Sequence, residues 1–378
     1  MKDVLVLGAG RIGRVMAQLL ADSGDYVVTL ADRHAGALQD FGPPSLRRHT
    51  LQLDAADPAA LAAALQGRFA VLNAFPFDCA ATVAEAARAA GVHYLDLTED
   101  VAATRRIKAL AQDAATAFIP QCGLAPGFVS IAAADLAGRF EQLQTLKLRV
   151  GALPLYPSNA LDYNLTWSTE GLINEYIQPC EAIVDGRRAE VAALEGLEQF
   201  SLEGTRYEAF NTSGGLGTLC DTWEGRVREL NYRSIRYPGH GQLMKALLND
   251  LRLRERPALL KDIFEHAIPA TQQDVVVIFV TATGWCDGRL TQHSLSRRVL
   301  GRWAGREPRS AIQITTAGSA CAVLDLLAQG RLPQQGFIRQ EQIALADFLG
   351  NRFGLVYADP AADGGEAPQT PSPLPLAA

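Results

Sequence analysis

Short apolar runs alternate with stretches of helical spacing through the first third of the chain. Lys2–Leu7 (KDVLVL) is an apolar run of strand length, residues 14–21 (RVMAQLLA) space their apolar side chains as a helix does, and residues 26–31 form a second run. The alternation continues through strand-like 49–53, Ala-rich helical 55–65, strand-like 70–74 (AVLNA), helical 82–90, strand-like 93–97, helical 103–115 and strand-like 117–120. This spacing predicts an α/β domain built on a parallel, doubly wound sheet. Ligands of such sheets lie beyond the carboxyl ends of the strands. Residues 8–13, Asp32, Asp54, Asn73, Asp96 and the turn 123–127 all fall at those ends.

After about residue 127 the pattern changes. Residues 128–138 read as a helix and 145–151 (TLKLRVG) as a strand, followed by a Pro/Asn loop at 154–159 and a Trp-containing helix at 167–176. Strand-like runs joined by turns come next, with Asp185-Gly186 and Asp287-Gly288 as hairpin signals and 274–283 (DVVVIFVTAT) as the strongest strand. They predict an α+β domain with a mixed, largely antiparallel sheet, one face carrying a substrate pocket and the other a subunit interface. Helical stretches at 242–251, within 310–329 and at 340–353 complete the pattern, the last two returning to the first domain. The tail 358–378 is rich in Pro, Gly and Ala without periodicity and is expected to be disordered. The boundaries are therefore 1–126, 127–309, 310–357 and 358–378.

Candidate chemistry starts at Gly8-Ala-Gly10-Arg11-Ile12-Gly13, which follows a strand and opens a helix. Gly8 permits a tight turn, Gly10 lets backbone amides approach a pyrophosphate, and Gly13 lets helix and strand pack closely. The unpaired amides at Arg11 and Ile12 sit at the positive end of the helix dipole. Strand, fingerprint, helix, strand and acid in that order mark 1–126 as a Rossmann-type dinucleotide-binding domain. Asp32 stands 19 residues after Gly13, placed to accept hydrogen bonds from the adenosine ribose hydroxyls. Its carboxylate favours NAD by repelling a 2′-phosphate, whereas Arg33 beside it can pair with that phosphate, so NADP stays open. Asp54 ends the third strand. Asn73 and Ala74 are expected on the ribose or nicotinamide side, and Asp96, Leu97 and Thr98 in the cleft shared by cofactor and substrate. Strand-end polar residues are also common without any function.

Composition narrows the partners. A length of 378 residues suggests two domains or one with a large insertion. With 48% hydrophobic residues, 20% charged residues and a net charge of −6, the chain has an ordinary globular composition and lacks the basic excess of a nucleic-acid surface. No run is read as reaching the ~18 apolar residues of a membrane helix. Met1 leads straight into a strand without a secretory leader, so a cytoplasmic location is expected. Six cysteines (Cys79, Cys122, Cys180, Cys220, Cys286, Cys321) stand singly, without metal-ligand spacing, and no metal is expected. They read as small buried hydrophobes, with Cys122 a possible substrate contact.

Cys122-Gly-Leu-Ala-Pro-Gly127 resembles the C-G-L-x-P-G turn of the saccharopine dehydrogenase family. That turn lies at the nicotinamide end of the family's cleft, which implicates Gly123, Leu124 and Ala125. Tyr163…Trp167-Ser168 with Glu170-Gly171, then Phe210-Asn-Thr-Ser-Gly-Gly-Leu-Gly-Thr218 and Ile235-Arg-Tyr-Pro-Gly-His240, extend the resemblance from residue 1 to about 357. The last two stretches are most similar to the lysine 6-dehydrogenase branch. The resemblance implies oxidation of a C–N bond at the ε-carbon of lysine or of a lysine-derived secondary amine. Hydride passes to the nicotinamide, water adds to the resulting imine, and ammonia or glutamate departs to leave 2-aminoadipate semialdehyde. Saccharopine dehydrogenases carry an Arg near 211–215 for the glutamate carboxylates, and here Asn-Thr-Ser-Gly-Gly stands without one. Losing a bidentate guanidinium–carboxylate contact favours lysine or another free amine over saccharopine. A polyamine or imine reductase, and a cofactor-binding regulator without turnover, are the remaining alternatives.

Arg236 is the expected clamp for the substrate α-carboxylate and Tyr237 a wall or hydrogen-bond donor. His240 is expected to accept the amine proton or activate water, the alternative being a cap on the helix after it. Asp96, Tyr237 and His240 are thus the catalytic candidates. Tyr163 and Trp167 would line the aliphatic stem of lysine or serve as core aromatics. Thr212 and Ser213 would bring amides to a carboxylate or form an ordinary turn. The turns 123–127, 211–218 and 236–240 are expected to face the glycine fingerprint across one cleft, in a homodimer.

Overall fold

The computed structural model describes residues 1–304 and 307–358, so the tail beyond Ala358 lies outside the described residues. Seven parallel strands form the first sheet, in the order Gly336–Phe337, Ala117–Ile119, His93–Asp96, Ala70–Asn73, Lys2–Leu7, Tyr26–Asp32 and Arg48–Gln52. Leu7 pairs with Ala31 on one side and Asn73 on the other, so the strand order reverses around Lys2–Leu7. A crevice opens at such a switch point. Val4, Leu5, Val6 and Leu7 are completely buried because both faces of the sheet are covered. Helix bounds shift by a few residues from the sequence spacing. The first runs Arg11–Ser23, the fourth Val101–Leu110, and the second begins at Pro58, with the Asp57 carboxylate accepting from the amides of Ala59 and Ala60.

Eight strands make the second sheet. Its path is Glu198–Leu202, Thr205–Asn211, Glu229–Arg236, Gln142–Pro154, Asp274–Cys286 and Arg289–Leu300, with Cys180–Val184 paired to Glu229–Arg236 and to Arg187–Val191. Pairing is antiparallel except between Glu229–Arg236 and Gln142–Pro154. Both predicted hairpin turns form, with Asp185, Gly186, Asp287 and Gly288 at φ of 48°, 83°, 50° and 70°. The helix expected at 242–251 is His240–Lys245 continued by a π-helical turn, Ala246–Asp250. Helix Pro257–Ala267 is an addition to the sequence-based pattern.

Ala311–Ala328 joins the two sheets. By length and composition it is apolar enough to cross a membrane, which corrects the expectation that no such run exists, but 78% of it is buried inside the protein. It packs on Arg11–Ser23 and on the strand Asp274–Cys286. Ser310 and Gln313 form a capping box at its start, and the buried Asp274 carboxylate accepts from the amides of Ala311 and Ile312. Beyond it, the helix expected at 340–353 is broken into Gln340–Gln342, Leu345–Leu349 and Gly354–Tyr357. A Cβ on Gly354 would stand 1.9 Å from the Phe348 carbonyl oxygen, so only glycine permits that fold-back.

Buried Asp325 ties this last segment to the first sheet. It accepts from the Tyr26 hydroxyl, from Asn351 Nδ2 at 2.8 Å and from Arg352 Nη2 at 2.8 Å. Asp325→Ala would leave the buried Asn351 amide and Tyr26 hydroxyl without their acceptor. A loss of about 2–4 kcal/mol is expected in urea denaturation; a change below about 0.5 kcal/mol would show that the cluster does not hold the segment.

Candidate active site

A cleft of about 740 Å³ opens at the switch point of the first sheet and is closed on its far side by the second. Gly10, Arg11, Ile12, Gly13, Ala74 and Leu124 line one end; Val150, Trp167, Glu175, Tyr232, Ser234 and Arg236 line the other. Leu97, Thr98, Gly123 and Ala125 lie between them.

The first end fits a dinucleotide. Helix Arg11–Ser23 begins at Gly10 with no side-chain cap and no acidic residue in its first turn, so its leading amides are free for an anion. A Cβ on Gly10 would meet no protein atom within 4 Å, which leaves it projecting into the cleft. A Cβ on Gly13 would lie 1.8 Å from the Gly8 carbonyl oxygen, and Gly8 itself has φ 94°. Asp32 braces this turn: Oδ2 accepts from Ala9 N at 2.8 Å and Oδ1 from His34 N at 2.9 Å. Each oxygen keeps a second lone pair for a ribose hydroxyl. Arg33 is exposed beside it, donating to His34 at 3.0 Å.

Three strand-end residues do not reach the cleft. Asp54 closes its own loop by accepting from Ala56 N at 3.0 Å. Asn73 Oδ1 accepts from Phe75 N at 3.2 Å. Asp96 is buried and accepts from Gln121 N at 2.8 Å, Thr98 N at 3.1 Å and the Tyr94 hydroxyl at 2.7 Å. Burial raises its pKa to about 6 against those donors. These contacts shape the turns that carry Ala74, Leu97 and Gly123, which corrects the catalytic assignment of Asp96.

At the far end, Tyr232, Ser234 and Arg236 share one face of a strand by its period of two. Arg236 is only 3% exposed. Its Nε donates to the Tyr176 hydroxyl oxygen at 2.7 Å and its Nη1 to the Ile235 carbonyl at 2.8 Å. Nη2 has no protein partner among the described residues. Glu175, from helix Thr169–Ile177, stands beside Ser234 and within the field of Arg236. Burial and then the charge of Glu99 push its carboxyl well up; burial and then Asp100 do the same to Glu99. Burial therefore disfavours the charged form of both carboxyls, and Glu99 adds to the effect on Glu175.

Residues 4–119 match the family model described as the saccharopine dehydrogenase NADP binding domain, and residues 123–351 match the saccharopine dehydrogenase C-terminal domain. The chain belongs to the saccharopine dehydrogenase family. It is 22% identical over 389 aligned positions to the saccharopine dehydrogenase [NADP(+), L-glutamate-forming] of Saccharomyces cerevisiae, covering 95% of this chain and 82% of that protein. The solved apo structure of the L-Glu-forming yeast enzyme aligns with a TM-score of 0.74 at 17% identity, over 92% of this chain and 96% of that one. A myo-inositol dehydrogenase of Corynebacterium glutamicum aligns at 14% identity and TM-score 0.46, over 92% and 94% of the two chains. This protein is thus a saccharopine dehydrogenase-like NAD(P) oxidoreductase, with the family and fold class that its motifs imply.

Other motif residues of this saccharopine dehydrogenase-like chain stand behind the cleft. The turn 211–218 does not line it. A Cβ on Gly214 would lie 3.0 Å from the Glu99 carbonyl oxygen and one on Gly215 only 2.4 Å from the Tyr232 ring, so these glycines let the loop back both residues. Thr212 Oγ1 and Ser234 Oγ are 2.8 Å apart, and Ser213 N donates to the Glu175 carbonyl at 3.0 Å. Tyr163 is buried with its ring 5.3 Å from the Arg236 guanidinium. Tyr237, the first residue after the strand Glu229–Arg236, turns away from the cleft, donating to the Pro154 carbonyl at 2.9 Å and stacking on Tyr207. Cys122 is a buried thiol, raised by burial and donating to the Ile119 carbonyl at 3.0 Å.

His240 is 2% exposed, with both ring nitrogens engaged. Nδ1 lies 2.8 Å from the Leu161 carbonyl and Nε2 3.0 Å from the Tyr176 hydroxyl. Burial, then Arg236, lowers its pKa to about 3. Neither His240 nor Tyr237 touches the cleft, which corrects both catalytic assignments. Sequence spacing alone does not single out Glu99, Glu175, Tyr232 or Ser234. The usable signals are the period of two back from Arg236, and a carboxylate among Leu172, Ile173 and Tyr176 on a buried helix face.

Between pH 3 and 6.5 the unfolded chain binds a proton at His240 that the native state refuses. The stability His240 contributes is therefore present above about pH 6.5 and declines as pH falls toward 3. In urea titrations His240→Gln is expected to flatten the fall in stability from pH 7 to 5, by up to about 1.4 kcal/mol per pH unit. Parallel curves for the two proteins would sink the assignment.

Proposed function

We propose that this chain oxidises the terminal amine of lysine, or of a similar diamino acid with one carboxylate, using NADP. The charge of the cleft is the observation that carries this reading. Its lining holds the carboxylates Glu99, Glu170, Glu175 and Glu265 and the cations Arg11, Arg236 and Lys261. Arg11 stands at the phosphate end, and Lys261 at the rim is paired with Glu170 at 2.6 Å. Arg236, with Nη2 open, is the cation left for substrate. With Glu170 set against Lys261, one guanidinium beside Glu99, Glu175 and Glu265 suits lysine, with one carboxylate and two ammonium groups, better than saccharopine, with three carboxylates.

Arg236 holds the α-carboxylate, while Glu175 and Glu99 hold the amine and take its proton, which frees the nitrogen lone pair. The apolar walls Val150 and Trp167 cover the aliphatic stem and keep water away until the amine is oxidised. When bound along residues 10–13, the dinucleotide supplies a hydride acceptor for the carbon bearing the amine; the imine then takes up water and releases ammonia. NADP is supported by Arg33, whose exposed guanidinium is free for a 2′-phosphate, and by Asp32, whose oxygens already face the Ala9 and His34 amides. The yeast relative, named for NADP(+), supports it too. That relative also favours a second reading, glutamate-forming saccharopine oxidation.

Absorbance at 340 nm with lysine or saccharopine separates the two readings. Turnover of saccharopine without turnover of lysine would overturn the argument from charge. Arg236→Met is expected to lower kcat/KM for lysine roughly 30- to 100-fold, the effect of losing one charge-assisted contact. It should leave 1,5-diaminopentane, which has no carboxylate, nearly unaffected. Arg33→Ala is expected to raise KM for NADP about tenfold and to leave KM for NAD unchanged; equal effects on both would remove Arg33 from phosphate recognition.

A further inference from the structure

Arg236 is held by a directional chain of hydrogen bonds that ends on the backbone. The Leu161 carbonyl can only accept, so the hydrogen on the His240 ring is at Nδ1, 2.8 Å away. Nε2 is then an acceptor, and the Tyr176 O–H, 3.0 Å from it, is the donor. The Tyr176 oxygen in turn accepts from Arg236 Nε at 2.7 Å. With Nε held by Tyr176 and Nη1 by the Ile235 carbonyl, the guanidinium plane cannot turn, and Nη2 is the nitrogen left for a ligand.

The far end of the chain is braced separately. The buried Glu208 carboxylate accepts from Gly239 N at 2.7 Å and Gly241 N at 2.6 Å, on either side of His240. A Cβ on Gly241 would lie 2.9 Å from the Phe210 ring, so the turn is also pressed against the core. Tyr176, His240 and Glu208 are each 2% exposed. Buried groups satisfied this completely hold a geometry that an apolar core would not specify.

We propose that Tyr176 and His240 are positioning residues, which aim the guanidinium of Arg236 at the carboxylate of an amino-acid substrate. The proposal rests on the reading of Arg236 as the carboxylate clamp. Neutral His240 also avoids adding a second cation next to Arg236.

The test compares kcat/KM for lysine and for 1,5-diaminopentane in the full chain carrying Tyr176→Phe, His240→Asn or His240→Gln. Asn retains a donor for Leu161 but loses the acceptor for Tyr176, whereas the longer Gln can return that acceptor. Tyr176→Phe and His240→Asn are expected to lower lysine efficiency about tenfold, through KM, with diaminopentane efficiency and KM for NADP within about twofold. His240→Gln should recover most of the loss. Equal losses on both substrates, or no loss on either, overturn the proposal. If Arg236→Met removes the preference for lysine and Tyr176→Phe and His240→Asn do not, this inference alone fails. If Arg236→Met leaves that preference intact, or the unsubstituted chain does not oxidise lysine, the clamp falls and the positioning role with it.

Discussion

Burial of one apolar helix, Ala311–Ala328, makes this chain a single packed body with a cleft. Its small residues Ala317, Gly318, Ala320 and Ala322 let it approach neighbours on several sides, and a Cβ on Gly318 would already lie 3.0 Å from the Phe353 carbonyl. Lined by the first sheet's opening helix and by the second sheet's longest strands, it merges their apolar faces into one core that also contains Phe128, Phe348 and Tyr357. The same helix lends Ile312, Gln313 and Thr316 to the cleft. The gap between the nucleotide fingerprint and the far wall of the cleft is therefore set by the packing of a segment that begins 298 residues after Gly13.

Within that gap, polar groups are sorted by depth. Arg236, Glu175 and Glu99 meet the cleft; behind them Tyr176 accepts from Arg236, His240 meets Tyr176, Thr212 meets Ser234 and Ser213 N donates to the Glu175 carbonyl. A buried guanidinium is tolerable because two of its nitrogens are paired and the Glu175 carboxyl lies within its field. Burial, and then the charge of Arg236, keeps His240 neutral, so the residue with the most reactive name in the R-Y-P-G-H run is a fixed acceptor. The carboxyls that line this site have their acidity lowered by burial first, and then by Asp100 for Glu99 and by Glu99 for Glu175.

Much of the fold was legible. Periods of two and of about 3.6 are local properties, and they located the parallel strands, the hairpin turns and the fingerprint helix to within a few residues. Legibility failed where long-range packing overrode local pattern. The 340–353 stretch has helical spacing but folds back at Gly354 to meet Phe348, and Gly336–Phe337 becomes a strand only because Ala117–Ile119 offers an edge. Among the site residues named from the sequence, Gly10, Ala74, Thr98, Trp167 and Arg236 line the cleft, whereas Asp54, Asn73, Asp96, Tyr237 and His240 do not. Glu99 and Glu175 carry no motif, and their significance arises from meeting each other.

The amino-acid sequence by itself determined that a dinucleotide binds, because glycines at 8, 10 and 13 and an uncapped helix end act through backbone geometry over a few consecutive residues. It also determined the family, through turns whose shape depends on their own glycines and prolines. Only the tertiary structure decided which side chains face substrate. The strand Glu229–Arg236 ends by sending Arg236 into the cleft while Tyr237, just beyond it, turns out, and the packing of a helix on the sheet brings Glu175 to Ser234. Those choices depend on contacts between segments about 60 residues apart, which no local pattern encodes.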